Sequence, residues 1–325
     1  MTPPHPHPHP HPLTDRDVSD AAAALRGVAV RTPLVWIEPL GAWLKLESRQ
    51  PVGAFKVRGA YNAVRKLTDT ARRRGVITFS SGNHGQAVAF AAQRFGVRAV
   101  IVMPETTPAI KVQGVQRWGG EVVYAGRTSE DRRTAALAIA EREGLSVIPP
   151  FDHPDVVAGQ ATVALEIVEA LPDAATIVVP VGGGGLISGV VRGLAAAHSP
   201  ARVVGVEPTG APKLAQSIAA GHPVMLERTT SIADGLITLT VGQLPFAVLR
   251  ESGDRLAAVV AVEDDSIREA VHFLHRDCGL TVEPSGAATT AALRSGAIDA
   301  FRRPPLVLIV SGGNVDPALL DVPVS

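Results

Sequence analysis

After the apolar run Thr176–Val181 the chain reads Gly182-Gly183-Gly184-Gly185, and Leu186 then opens a helical pattern. Successive glycines let several backbone N–H groups converge, and the positive end of the following helix adds to them, so the turn suits a phosphate dianion. A plain flexible turn needs one or two glycines, not four. Two further glycine-containing turns follow apolar segments: Ser80–Gln86 (SSGNHGQ) and Ser311–Asn314 (SGGN). Strand, glycine turn, helix and a second strand ending in Glu207 also outline a dinucleotide site. The spacing argues against that ligand, because G-x-G-x-x-G placed on GGGGLISG puts its third glycine on Ile187 or Ser188.

A phosphate belonging to pyridoxal 5′-phosphate (PLP) requires a lysine to supply an imine, and the chain offers only Lys45, Lys56, Lys66, Lys111 and Lys213. Lys66 lies in a polar helical stretch, Lys111 at a helix start and Lys213 just after a Gly-Ala-Pro turn, all positions where an ammonium is normally solvated. Lys45 alternates with Glu47 in a strand, which reads as an ion pair. Lys56 follows Gly53-Ala54-Phe55 and opens a helix with Arg58, Gly59 and Ala60. A helix N-terminus disfavours an ammonium, lowers its pKa and favours the nucleophilic amine.

Short β-branched strands are expected at Val76–Ser80, Val97–Met103, Glu121–Ala125, Thr176–Val181, Arg202–Glu207, Ala257–Val262 and Pro305–Val310. Helices are expected at Gln86–Phe95, Ser129–Glu143, Ala158–Leu171, Leu186–His198 and Asp265–Cys278, with a capped one over Thr14–Leu25. Strand and helix alternating in this way predict an α/β fold: open parallel sheets with helices on both faces. At 325 residues two domains sharing a cleft are expected. Residues 75–147 form a small domain closing over the substrate, and 13–74 with 148–325 form the large one. In such folds ligands sit beyond the carboxyl ends of strands.

Composition narrows the partners. Formal net charge is zero and no long basic stretch occurs, so nucleic acid is not expected as a partner. No clean apolar stretch reaches about 18 residues, so no membrane span is expected. The lone Cys278 has no internal disulfide partner and no charged-then-apolar signal opens the chain, which places it in a reducing, cytoplasmic setting. Residues 1–12, alternating His and Pro, read as a disordered extended tail that could bind a transition metal only weakly. His272, His275 and Cys278 have ligand-like spacing but spread around a helix. His275-Arg276-Asp277 matches a kinase catalytic-loop tripeptide without the motifs that accompany it.

Leu44–Val64 (LKLESRQPVGAFKVRGAYNAV), SSGNHGQA, Pro150–Ile167 (PFDHPDVVAGQATVALEI), VGGGGL, SIADGL (Ser231–Leu236), VEPSGA (Val282–Ala287) and VSGGNVD together resemble the fold-type II PLP enzymes. The branch is that of the threonine/serine dehydratases and serine racemases, and the likeness covers nearly everything after the His-Pro tail. No sequence follows Ser325, which resembles the short catabolic type. The resemblance implies a homodimer acting on a small amino acid. It implies Lys56 as the Schiff-base lysine and the base at Cα, with Phe55 against the ring, Asn83 on the cofactor's 3′-oxygen and Gly182–Gly185 on its phosphate. Ser311 would meet the pyridine nitrogen, and a hydroxyl there does not enforce a protonated ring, which suits β-elimination over a long-lived carbanion. Ser80, Ser81 and His84, with loop N–H groups, would hold the substrate carboxylate. Arg132 falls where the family has a cation near that carboxylate, and equally on a solvated helix face.

Two departures stand out. The family's G-S-F-K serine is Ala54 here. Members with a divalent cation bind it through an acid, a backbone carbonyl and a second acid; Glu207 and Ala211 fit the first two, but Lys213 stands in the third place, so no metal is expected. The implied activity is dehydration of L-threonine or L-serine to a 2-oxo acid and ammonia. Serine racemisation, with Ser81 as the second acid/base, and dehydration of phenylserine or 3-hydroxyaspartate stay open. A PLP-free dinucleotide-binding protein would leave Lys56 without a role.

Overall fold

The computed structural model describes residues 13–80, 82–107, 109–126, 129–316 and 320, so the His-Pro tail and Ser81 lie outside the described residues. In chain order the elements begin with α1 (Asp15–Leu25), β1 (Leu34–Ile37), β2 (Ala42–Leu46), α2 (Lys56–Lys66) and α3 (Asp69–Arg74). Next come β3 (Val76–Phe79), α4 (Asn83–Phe95), β4 (Ala99–Met103), α5 (Ala109–Gln116), β5 (Glu121–Tyr124), α6 (Ser129–Glu143) and β6 (Ser146–Val147). The remainder is α7 (Pro154–Ala170), β7 (Thr176–Pro180), α8 (Gly185–Ala196), β8 (Arg202–Pro208), α9 (Lys213–Ala220), α10 (Gln243–Glu251), β9 (Leu256–Val262), α11 (Asp264–Arg276), α12 (Pro284–Arg294) and β10 (Leu306–Val310).

The strands form two sheets, one ordered β1-β2-β10-β7-β8-β9 and one ordered β5-β4-β3-β6. The smaller is parallel throughout, as expected. The larger is parallel except for the edge hairpin, where β1 runs antiparallel to β2. Its central strands β7 and β10 are buried along their whole length. That is why TIVVP and LVLIV read as unbroken apolar runs rather than alternating ones. One face of the large sheet packs on α11 and α12 and the other on α7, α8 and α10. No described helix is long and apolar enough to cross a membrane.

Local chemistry sets the helix ends. Thr14 and Asp17 form a reciprocal capping box at α1. The ring of His153 accepts from Asp155 N–H and Pro154 takes the first helical position, so α7 starts four residues before the expected Ala158. Helices α2 and α7 cross at the bare Cα atoms of two glycines: a Cβ at Gly159 would meet Gly59 Cα at 2.6 Å, and one at Gly59 would meet Val156 O at 2.7 Å.

A buried charge quartet fixes α2. Arg58 donates to both oxygens of Glu47 (2.7 and 2.8 Å) and to both of Glu166 (2.7 and 2.8 Å). Lys45 donates to Glu166 at 2.5 Å and to Thr32 O at 2.8 Å. The expected Lys45–Glu47 pair is present only at 4.0 Å, as part of this larger set. Two cations balance two carboxylates with bidentate geometry, which is what makes burial tolerable; removing one member would cost about 3–5 kcal/mol. The first turn of α2, and with it Lys56, is anchored to β2 and α7.

Candidate active site

Lys56 is the first residue of α2, and its Nζ donates to the carbonyl of Pro150 at 2.8 Å. Among the described residues no carboxylate pairs with it. Lys56 keeps some exposed surface, but its ammonium lies deep among protein atoms, and that desolvation pushes its pKa down to about 8. Burial, rather than the helix dipole expected from sequence, is the cause. The ring of Phe55 has the ammonium 5.2 Å from its centroid, and Phe55 N–H donates to Ser311 O. The chain before the lysine is thus stitched to the end of β10, where Ala54 bridges Gly312.

The residue after Pro150 carries the next contact. A Cβ at Gly183 would lie 2.2 Å from the ring of Phe151, and Gly185 meets Phe151's own Cα and Cβ, so bare glycine backbone is a condition of this packing. Gly184 has φ of 89°, the left-handed region, and is the residue before α8. No side chain caps α8, which leaves its first N–H groups for something else. The run Lys56, Pro150, Phe151, Gly183 therefore brings the amine and the glycine turn to one place, at the carboxyl ends of β7 and β10, which are neighbours in the sheet.

Asn83 opens α4, likewise without a side-chain cap. Its amide donates to Glu283 at 2.7 Å and accepts from Asn314 Nδ2 at 2.7 Å. Asn314 also donates to Val52 O. Burial, with the charge of Asp234 adding to it, pushes the Glu283 carboxyl up to about 8 despite the Asn83 hydrogen bond. Glu283 is therefore mostly protonated at neutral pH. His84 is buried, and its Nε2 donates to Ile148 O at 2.9 Å, the carbonyl fixing the tautomer. Desolvation first and the Lys56 charge second push the imidazole down to about 3, so it is neutral. Its Nδ1 has no partner among the described residues. A neutral ring whose one N–H is already used cannot donate to a carboxylate, so what His84 offers an anion is its main-chain N–H in the first turn of α4.

Ser80 is half-buried before α4, with its Oγ accepting from Gly82 N–H. Ser311 is buried and its hydroxyl donates at a long 3.4 Å to Ser285 O, a bond weak enough to be exchanged. Arg132 sits half-buried on α6, the helix that packs on β3, β4 and β6. Lys213, expected to be solvated, is instead fully buried. Sequence reasoning missed Phe151, Glu283 and Asn314; the motifs PFDHPD, VEPSGA and SGGN contain them, but nothing local to each shows what it touches.

The model of a family described as pyridoxal-phosphate dependent enzyme matches residues 25–312. The chain is 36% identical over 315 residues to an L-threonine ammonia-lyase of Thermotoga maritima, covering 95% of this chain and 77% of that protein. It is 39% identical over 311 residues to an L-threo-3-hydroxyaspartate ammonia-lyase of Saccharomyces cerevisiae, covering 92% and 93%. The solved structure of maize serine racemase superposes with a TM-score of 0.89 at 36% identity, covering 95% of this chain and 96% of that one.

Proposed function

Because the chain belongs to the pyridoxal-phosphate dependent enzymes, we propose that it is an ammonia-lyase: it dehydrates L-threonine or L-serine and releases ammonia hydrolytically, leaving the 2-oxo acid. The observation that carries this reading is Lys56, an amine with a lowered pKa and no counter-charge among the described residues, held by Pro150 O next to an uncapped four-glycine helix start. The residues present fit the cofactor. The bare Cα atoms of Gly183 and Gly185 and the free N–H groups of α8 suit its phosphate, and Asn83 and the weakly engaged Ser311 hydroxyl suit its ring heteroatoms.

Bound PLP supplies an electron sink conjugated to the substrate Cα, so that the Cα proton and a β-leaving group can depart. Lys56 Nζ would hold the cofactor and would take the substrate's Cα proton; a pKa near 8 suits that task close to neutral pH. Phe55, which already lies against the Lys56 amine, would pack against the cofactor ring. The first N–H groups of α4, with Ser80, Ser81 and the His84 main chain, orient the substrate carboxylate, and the neutral His84 ring avoids placing a second cation beside Lys56. Arg132 would add charge to that anion when the unit built on the small sheet moves toward the cofactor. The chain works as a homodimer on this reading. A racemase needs a proton donor on the face opposite Lys56, and Ser81 would be that group.

One experiment separates the readings: ammonia, 2-oxo acid and D-serine measured side by side from L-serine, L-threonine and L-threo-3-hydroxyaspartate, for the unmodified enzyme and Ser81→Ala. In a lyase Ser81 mainly donates one hydrogen bond, so the variant keeps ammonia release with a loss of about 1–3 kcal/mol in kcat/KM. D-serine formation falls far more steeply. D-serine as the dominant product of the unmodified enzyme would overturn the proposal, and 3-hydroxyaspartate as its best substrate would correct the substrate.

A further inference from the structure

Lys213 is among the largest fully buried side chains in the protein, and its surroundings are not those of an ordinary ion pair. Its Nζ lies 3.0 Å from Val181 O, 3.0 Å from Ala211 O, 2.9 Å from Leu236 O and 3.0 Å from Glu207 Oε1. All four neighbours are acceptors. An ammonium reaches all four by sharing one of its three N–H donors between two acceptors, whereas a neutral amine would leave acceptors facing a lone pair. Three main-chain carbonyls and one carboxylate form the hard-oxygen set that a small cation selects. The carboxylate is fully committed, because Glu207 also accepts from Leu214 and Ala215 N–H and so caps α9.

Four separate segments meet on this one nitrogen: the end of β7, the end of β8, the turn before α9 and the Ser231–Leu236 loop. Two of them bracket the glycine turn. Val181 directly precedes Gly182, and the carbonyl of Gly235, next to Leu236, lies 2.7 Å from where a Cβ on Gly182 would be. Without a cation three carbonyl dipoles and a carboxylate would converge on an empty point, and the start of the glycine turn would lose its anchor.

We propose that Lys213 is a tethered internal cation that fills this oxygen cage and holds the Gly182–Gly185 turn in its anion-binding shape, so that the enzyme needs no free ion there. The inference rests on Gly182–Gly185 being the phosphate site; the cage itself does not. Lys213 touches neither substrate nor cofactor and is a positioning residue.

The test is ion rescue. Thermal unfolding of the apoprotein and PLP affinity are measured for unmodified protein, Lys213→Ala and Lys213→Met, in ammonium or potassium chloride and in tetramethylammonium chloride at equal ionic strength. The alanine variant opens a hole of cation size, while methionine fills it without charge. Lys213→Ala is expected to unfold earlier and to bind PLP at least about tenfold more weakly. Ammonium or potassium, but not the bulky tetramethylammonium, restores both. Lys213→Met shows the losses without the rescue. Unmodified protein, after chelation, responds to none of these ions nor to magnesium or calcium.

Selective stabilisation of the chelated unmodified protein by magnesium or calcium would overturn the proposal even if the variants failed to fold. A Lys213→Ala response to ammonium no larger than that to tetramethylammonium would also overturn it. Rescue of unfolding with PLP affinity unchanged throughout would uphold the cage and refute the reading of the glycine turn as the phosphate site.

Discussion

The proposed role of Lys56 as a nucleophile requires that something disfavour its proton, and that something is burial, with no carboxylate paired to it among the described residues. Imine formation requires the free amine. Since the folded pKa is lowered to about 8 from 10.5, the amine fraction rises about tenfold per pH unit below 8 and levels off above it. The rate at which apoprotein takes up PLP should follow that curve in stopped-flow absorbance; a rate still climbing steeply past pH 9 would show an unperturbed lysine. Lys56→Ala is expected to lose the borohydride-reducible adduct and all turnover. Lys56 stood out along the sequence because the chain has only five lysines, and the structure places it at the start of α2 as expected, its chemical role being what we propose. Lys213 did not stand out. A Gly-Ala-Pro turn looks solvated along the sequence, and its burial comes from three distant segments folding around it.

At the scale of elements, turns and helix starts make the site. The four-glycine turn was readable because no purely conformational need consumes that many glycines. Its partner Phe151 was hidden, because contact between a ring and a bare Cα leaves no periodic trace. That contact gives a test: Gly183→Ala places a methyl against the Phe151 ring, so the ring must move. We expect PLP affinity to fall by about 1–3 kcal/mol, the usual cost of overpacking, with far-ultraviolet dichroism unchanged. Equilibrium binding measured by absorbance checks it, and unaltered affinity would move the phosphate elsewhere. Helix α4 begins at Asn83, three residues before the expected Gln86, because its first turn carries the site's polar residues in place of apolar ones. Periodicity cannot see a first turn made of polar residues and glycine.

For the whole molecule, the α/β class followed from strand–helix alternation, but the order of strands did not. Pairing of β10 between β2 and β7 is a matter of long-range complementarity, since the apolar runs of β7 and β10 carry no local sign of which strand lies beside which. Synthesis adds a clock to that topology. Strand β2 ends at Leu46 and β10 begins at Leu306. At about 5–20 residues per second the ribosome spends tens of seconds between them. Once β7 has been made, β2 and β7 both have edges prepared for a strand that does not yet exist, while β3–β6 are already complete. Nascent chains arrested near residue 200 should therefore protect a fragment spanning 76–147 from brief proteolysis and be cut between 34 and 46; uniform cleavage of both would show that the small sheet has no head start. The last of the described strands to be translated is the one that joins β2 to β7, so until it arrives those two edges stay open to pairing with neighbouring chains on the polysome.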